Sequence, residues 1–266
     1  TTSAGTTPLN SKTMGAGNVT LYAIWSANTY KITFNSNGGS QSTSTKDVTY
    51  ASTYGDFPTV SRTGYTFIGW YDSSSAKYDT SKKYKDYPLY YYADTNADLY
   101  KAYAYNQYSL YSHYNSNGKN EGRKISQYIS STKVTTTGDQ TLYAGWLANR
   151  YTVTYNVNGG DSVSKSSATV EYGADIDLSV TAKRTGYTFK GWSTTSAGTT
   201  PLNSKTMGAG NVTLYAIWSI NSYTVTYSAN GGSSVSKSSA IVEYGADIDL
   251  SVTAKRTGYT FKGWST

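Results

Sequence analysis

Residues 151–193 read YTVTYNVNGGDSVSKSSATVEYGADIDLSVTAKRTGYTFKGWS, and residues 223–265 read YTVTYSANGGSSVSKSSAIVEYGADIDLSVTAKRTGYTFKGWS. The two stretches begin 72 residues apart and differ at four of 43 positions. Residues 1–26, TTSAGTTPLNSKTMGAGNVTLYAIWS, repeat residues 194–219 without a change. A third copy opens at Tyr30 as YKITFNSNGGS, continues to RTGYTFIGW at Arg62–Trp70 and closes as TLYAGW at Thr141–Trp146. It is 121 residues long, the same unit with about 49 extra residues. Self-similarity at a fixed period is the signature of a repeat architecture and takes precedence over any single motif. The chain therefore divides into the C-terminal half of a repeat (1–29), an enlarged repeat (30–150), a standard repeat (151–222) and the N-terminal half of a repeat (223–266).

Within the standard repeat, Tyr151-Thr-Val-Thr-Tyr155 alternates large and small side chains with the period of a half-buried strand. Asn158-Gly159-Gly160 is a turn signal, because Asn and Gly tolerate positive φ. Ala168–Tyr172 reads as a second strand, Tyr187–Trp192 as a third and Asn211–Trp218 as a last, most apolar one. Ala174–Leu178 reads as a short helical or irregular turn, and Thr194–Gly210, rich in Gly, Ser and Thr, as loop with a turn near Met207. The expected core is Val153, Tyr155, Val170, Tyr187, Phe189, Trp192, Leu214, Ala216 and Trp218, in which aromatic pairs dominate. Only Ser219–Ser222 separates Trp218 from Tyr223, and so short a link favours a stiff row of units.

The succession V-E-Y-G, R-T-G-Y-T-F-K-G-W and T-L-Y-A-I-W resembles the Listeria–Bacteroides repeat, the internalin B-type B repeat of bacterial surface proteins. The resemblance covers essentially the whole chain apart from the extra residues. It implies a mainly β (α+β) fold of tandem small β-grasp-like units placed between adhesive domains and wall anchors, hence an extracellular, cell-surface protein. The sequence departs from that pattern in its insertion, and it contains neither an anchor motif nor a leucine-rich region.

The insertion spans about 71–131 and, with its flanks to 130, carries 14 of the 29 tyrosines. Asp94–Tyr114 has helix-like spacing, with Leu99, Tyr103, Leu110 and Tyr114 on one face, a start capped within Asp94–Asn96 and an end at Asn117-Gly118. Tyr90, Tyr91, Tyr92, Tyr100, Tyr103, Tyr108, Tyr111 and Tyr114 are the candidate interface or ligand residues. Three roles are open for them: packing the insertion onto its own repeat, contact between subunits, where tyrosine combines apolar area with a hydroxyl, or a flat platform for sugar rings.

Composition excludes several classes of function. The chain has 266 residues, no Cys and one His, so disulfides, thiolate metal sites and His-based triads do not assemble. His113 reads as a surface or packed residue. Asp175 and Asp177 recur as Asp247 and Asp249 in a turn context, which favours a turn role over paired-carboxylate chemistry. No calcium-loop pattern and no phosphate-loop Lys-Ser/Thr follow the glycines. No spacing identifies an isopeptide bond. No catalytic, metal or cofactor residue is thus expected, and the chain reads as no enzyme. The net charge of +7 is spread thinly, with 15% charged residues and no dense basic cluster, so nucleic acid is not an expected partner. No run of 18 apolar residues crosses a membrane, and no signal peptide is visible. The expected role is the structural repeat region of an extracellular bacterial fibre, filament or adhesin stalk. Self-association or a longer array completes the half repeats from a neighbouring chain or segment, and the sequence reads as a window cut from a longer precursor. The alternative is an adhesin module that uses the insertion to bind a glycan or a host protein.

Overall fold

The computed structural model describes residues 6–266. The chain divides into two compact units, Thr1–Ala148 and Asn149–Thr266, and both are mainly β. In the first unit, β1 (Thr29–Asn35), β2 (Ser44–Thr49), β3 (Tyr65–Tyr71) and β4 (Gln140–Ala148) form one sheet in the order β2-β1-β4-β3. β1 and β2 are an antiparallel hairpin, β1 and β4 run parallel at the centre, and β4 and β3 are antiparallel. In the second unit, β5 (Arg150–Asn156), β6 (Ser162–Val163), β7 (Ser167–Glu171), β8 (Ala182–Lys183), β9 (Tyr187–Ser193) and β10 (Val212–Ile220) repeat the plan. The main sheet runs β7-β5-β10-β9 with the same directions, and the short β6 pairs β8.

The alternation read from the sequence explains which faces are buried. Along β5, Val153 and Tyr155 point inward and Thr152 and Thr154 outward. β10 lies between two neighbours and buries Leu214, Ala216 and Ile217. Ile176, Val180, Ala182 and Met207 close the core from the segments that carry no regular pattern. The Ala174–Leu178 stretch is irregular and forms no helix; it is held by hydrogen bonds from the Ile176 N–H to the Lys205 carbonyl and from the Met207 N–H to the Ala174 carbonyl. The Asp177 carboxylate accepts from both the backbone N–H (2.9 Å) and the hydroxyl (2.6 Å) of Ser179, a turn built by the side chain itself. Asp249 and Ser251 repeat it at 2.9 and 2.6 Å.

The turn after the first strand ties each unit together. Asn158, at φ 48°, donates through Nδ2 to the carbonyls of Ser196 (2.9 Å) and Ala216 (3.0 Å). Asn37 does the same in the first unit, to Lys85 and Ala144. The insertion thus supplies, at Lys85, the acceptor that the 194–210 loop supplies in the standard repeat. The indole N–H of Trp218 donates to the Val157 carbonyl and that of Trp146 to Ser36, both at 2.9 Å.

The identical sequences 6–26 and 199–219 adopt different states. Met207 and Leu214 are 1% and 0% exposed, whereas the matching Met14 and Leu21 are 69% and 67% exposed. Residues 6–28 contain no strand, and Trp25 is 88% exposed. Residues 223–266 keep what their own sequence can make: β11 (Ser222–Thr226) pairs β13 (Ser239–Glu243), and β12 (Ser234–Val235) pairs β14 (Ala254–Lys255). Tyr227 and Trp264 still pack at 5.1 Å, as Tyr155 and Trp192 do at 5.1 Å. The Tyr259–Ser265 stretch, equivalent to β9, is not a strand, because a strand needs a ladder partner and among the described residues no equivalent of β10 pairs with it.

Candidate functional site

The insertion connects β3 to β4 and is the feature that distinguishes the first unit. Its helices are shorter and earlier than the sequence pattern suggests. α1 (Pro88–Asp94) begins at a proline, α2 (Ala97–Tyr103) ends where Ala104 takes φ 48°, and α3 (Gln107–His113) starts under the Asn106 side chain, which accepts from the Ser109 N–H at 2.9 Å. A wider helical turn at Tyr114–Gly118 ends the segment. The single helix expected over 94–114 is therefore two, α2 and α3, broken at 104–106, with α1 ending at its first residue. Leu99 and Leu110 are buried as their spacing implied, whereas Tyr103 is exposed.

Leu89, Tyr92, Ala93, Leu99 and Leu110 form a core with Ile68, Tyr71 and Leu147 of the sheet. Tyr91, Tyr100, Tyr108, Tyr111 and Tyr114 lean on that core partly buried, and Tyr92 is fully buried with its hydroxyl 3.0 Å from His113 Nδ1. The Tyr108 hydroxyl donates to the Ala148 carbonyl at 2.9 Å. Most of the eight candidate tyrosines thus pack on their own repeat, and Tyr103 is the exposed one.

Tyr90 belongs to a run of rings on the flank of the insertion. Tyr87 stacks on Tyr90 at 5.0 Å, Tyr90 on Tyr105 at 3.9 Å and 6°, Tyr105 meets Tyr100 edge-on at 5.1 Å, and Tyr100 stacks on Tyr78 at 3.9 Å. Lys82 and Lys77 sit at 4.9 Å from the Tyr87 and Tyr78 ring centres. Asp94 anchors this run: it accepts from the hydroxyls of Tyr84 (2.8 Å) and Tyr105 (2.6 Å) and from the Lys77 N–H (2.6 Å). Burial first, and the bonded Asp94 charge second, push the Tyr84 and Tyr105 hydroxyls well above the ordinary tyrosine range. Tyr71, wholly enclosed, is raised by burial in the same direction. The hydrogen bond from Arg123 holds the Asp98 carboxyl below its usual value, and Arg123 also pairs with Glu121. Tyr78, Tyr84, Tyr87 and Tyr105 went unnoticed in the sequence because they lie outside the helical stripe, on loops and at a helix break.

Elsewhere on the insertion, Tyr103, Tyr108, Ser109, Ser112, His113, Ser116 and Asn117 line an open groove of about 400 Å³. Tyr103 and His113 rings stand 5.8 Å apart. Among the described residues, no group of three His, Asp or Glu side chains is placed to hold a metal ion, and no helix is long and apolar enough to cross a membrane.

The family model of the Listeria-Bacteroides repeat domain matches residues 30–93, 151–217 and 223–266. A Gly-rich membrane protein of Evansella cellulosilytica is 31% identical over 293 residues, covering 96% of this chain and 32% of that protein. A second membrane protein of the same organism is 30% identical over 94% of this chain and 30% of its own length. Internalin H of Listeria monocytogenes is 34% identical over 44% of this chain and 20% of its own length. The chain spans about a third or less of the relatives it matches.

Proposed function

We propose, for a chain that belongs to the Listeria-Bacteroides repeat family of surface-associated repeat proteins, a structural role as a stalk or filament segment outside the cell. One observation carries the reading: the same four-stranded order, with first and last strands parallel at its centre, is built twice, and the sequence starts another copy at Tyr223, directly after the standard repeat. We read the unit as β-grasp-like, in which an irregular Tyr172–Thr181 crossover replaces the helix. Row after row of such units spans distance without chemistry, and among the described residues no group of His, Asp or Glu side chains is placed to hold a metal ion. The open sheet of residues 223–266 is completed by a V-T-L-Y-A-I-W strand from a neighbouring segment or chain, as β10 completes the standard repeat. Exposed Leu21, Ile24 and Trp25 are the matching surface on such a strand. Electron micrographs of tandem copies test the stalk. End-to-end rods are expected, and isolated globular particles contradict it.

A second reading has its own observation in the groove between Tyr103, Tyr108 and His113 and the stacked rings at Tyr87–Tyr90–Tyr105. Flat aromatic faces bordered by serine hydroxyls suit sugar rings, so the insertion would serve as a glycan- or host-protein-binding module carried on the stalk. Binding on a glycan array, lost when the insertion is replaced by the 194–210 loop of the standard repeat, supports it. An array without hits, or binding unchanged by that replacement, removes it.

A further inference from the structure

The sequence R-T-G-Y occurs at 62–65, 184–187 and 256–259, and its local geometry is the same each time. The Arg guanidinium lies over the Tyr ring at 3.8, 3.7 and 4.1 Å. The Tyr N–H donates to the Arg carbonyl at 3.1 Å in all three. The glycine takes φ of 79°, 77° and 79°, a left-handed conformation that other residues adopt only under strain. The third copy keeps this shape although no strand follows it, so the knuckle is set by its own four residues.

At 184–187 the knuckle is occupied. The ring of Tyr244, from the V-E-Y-G corner of the following repeat, lies so close to Gly186 that a β-carbon there would overlap it. Tyr187 and Tyr244 meet edge-on at 6.2 Å and 71°. Asn221 joins the two repeats through its backbone: its N–H donates to the Gly186 carbonyl at 2.9 Å, and its carbonyl accepts from the Tyr244 N–H at 2.8 Å. Its side-chain oxygen accepts from the Thr188 hydroxyl at 2.6 Å. At 256–259 the same knuckle is bare. Nothing lies within 4 Å of a β-carbon on Gly258, and Tyr259 is 67% exposed.

We infer that the R-T-G-Y knuckle is a repeat-to-repeat docking surface whose occupant is the corner tyrosine of the repeat that follows it, as Tyr244 occupies the knuckle at 184–187. The glycine serves it twice, by allowing the turn and by letting a ring rest on bare backbone. The arginine stacked on the other face holds the knuckle tyrosine in place for the edge-on contact. This deepens the stalk reading by naming the contact that would align successive units, and it rests on that reading only for its use, not for its chemistry.

The absence of native cysteine makes the test direct, since a label placed on Lys165→Cys and Lys237→Cys reports one distance between equivalent exposed points of adjacent repeats. In the full chain a narrow distance distribution is expected. Tyr244→Ser widens it at least twofold, Tyr244→Phe leaves it narrow, and Gly186→Ala widens it. Gly258→Ala, which carries the same positive-φ strain with no ring to meet, leaves it unchanged. Should Gly186→Ala unfold its repeat, Tyr244→Ser still decides. An unchanged width in Tyr244→Ser overturns the docking surface. A locked joint in a protein that forms no rods would refute the stalk and leave the knuckle standing.

Discussion

Leu214 and Leu21 sit in the same nine-residue sequence, N-V-T-L-Y-A-I-W-S, and one substitution made at each separates packing from composition. Leu214 is fully enclosed in the central strand β10, against Val153, Trp192 and Met207 of the same core. Truncation to Ala removes its transfer free energy and leaves a cavity in a sheet fixed on both sides, a loss of about 3 kcal/mol. A unit of this size holds only roughly 4–11 kcal/mol in total. A loss of that size lowers its unfolding temperature by about 12–24 °C. Leu21 is 67% exposed, so Leu21→Ala costs less than about 0.5 kcal/mol in the separated chain, or at most ~4 °C. Several units unfold in one chain, so the assay is hydrogen exchange followed with temperature over residues 150–220, where other segments do not mask the transition. Equal destabilisation by the two substitutions in dilute solution would refute the reasoning, because it would mean that residues 6–28 already occupy a packed sheet. Where a V-T-L-Y-A-I-W segment does complete another repeat, Leu21→Ala recovers the full cost.

Three other outcomes follow from particular contacts. Gly160→Ala places a β-carbon 2.5 Å from Trp218 Cζ2 and 2.9 Å from the Lys183 carbonyl, so the standard repeat loses about 1–3 kcal/mol, read as a lower thermal midpoint over residues 150–220. Asp94→Ala leaves the Tyr84 and Tyr105 hydroxyls without their acceptor and loosens the insertion by about 1–3 kcal/mol, seen as faster exchange of residues 77–105 with β5–β10 unaffected. Tyr84 and Tyr105 hold their protons more tightly folded than unfolded, chiefly through burial and then through Asp94. That contribution is complete below the unfolded tyrosine pKa of about 10 and is lost as pH rises beyond it through the raised folded values. An ultraviolet titration should therefore show the Asp94-bound pair ionising only as the insertion opens.

The four strands of the standard repeat are legible in the sequence because each carries its own period, and their observed limits fall within two residues of the pattern. Tandem identity adds the rest of the plan, since a unit copied almost unchanged must close its core with its own residues or with those of its neighbours. What escaped reading lacks a period. Ile176, Val180, Ala182 and Met207 enter the core from irregular backbone, where burial is decided by hydrogen bonds to distant segments such as Lys205 and Ala174. In the insertion, the 3.6-residue spacing placed Leu99 and Leu110 correctly but ran through a break that one residue makes: Ala104, in a left-handed conformation, turns the chain so that Tyr105 swings onto Tyr90 and Asp94. The candidate tyrosines were chosen by type and spacing, and neither quantity distinguishes the enclosed Tyr92 from the open Tyr103. Gly186 marks a close approach or a bend in the sequence, but no period identifies the ring that approaches it, because Tyr244 lies in the next repeat.

The claim that sheet units are completed by a strand of V-T-L-Y-A-I-W type is tested most directly by extending the chain after Thr266 with the sequence of residues 195–222 and measuring backbone hydrogen exchange at Tyr259–Ser265. The account predicts that these amides, which lack a ladder partner, gain protection of at least about 100-fold, matching that of β9, as a central strand forms beside them. Exchange at Tyr259–Ser265 as fast with the extension as without it would contradict the account.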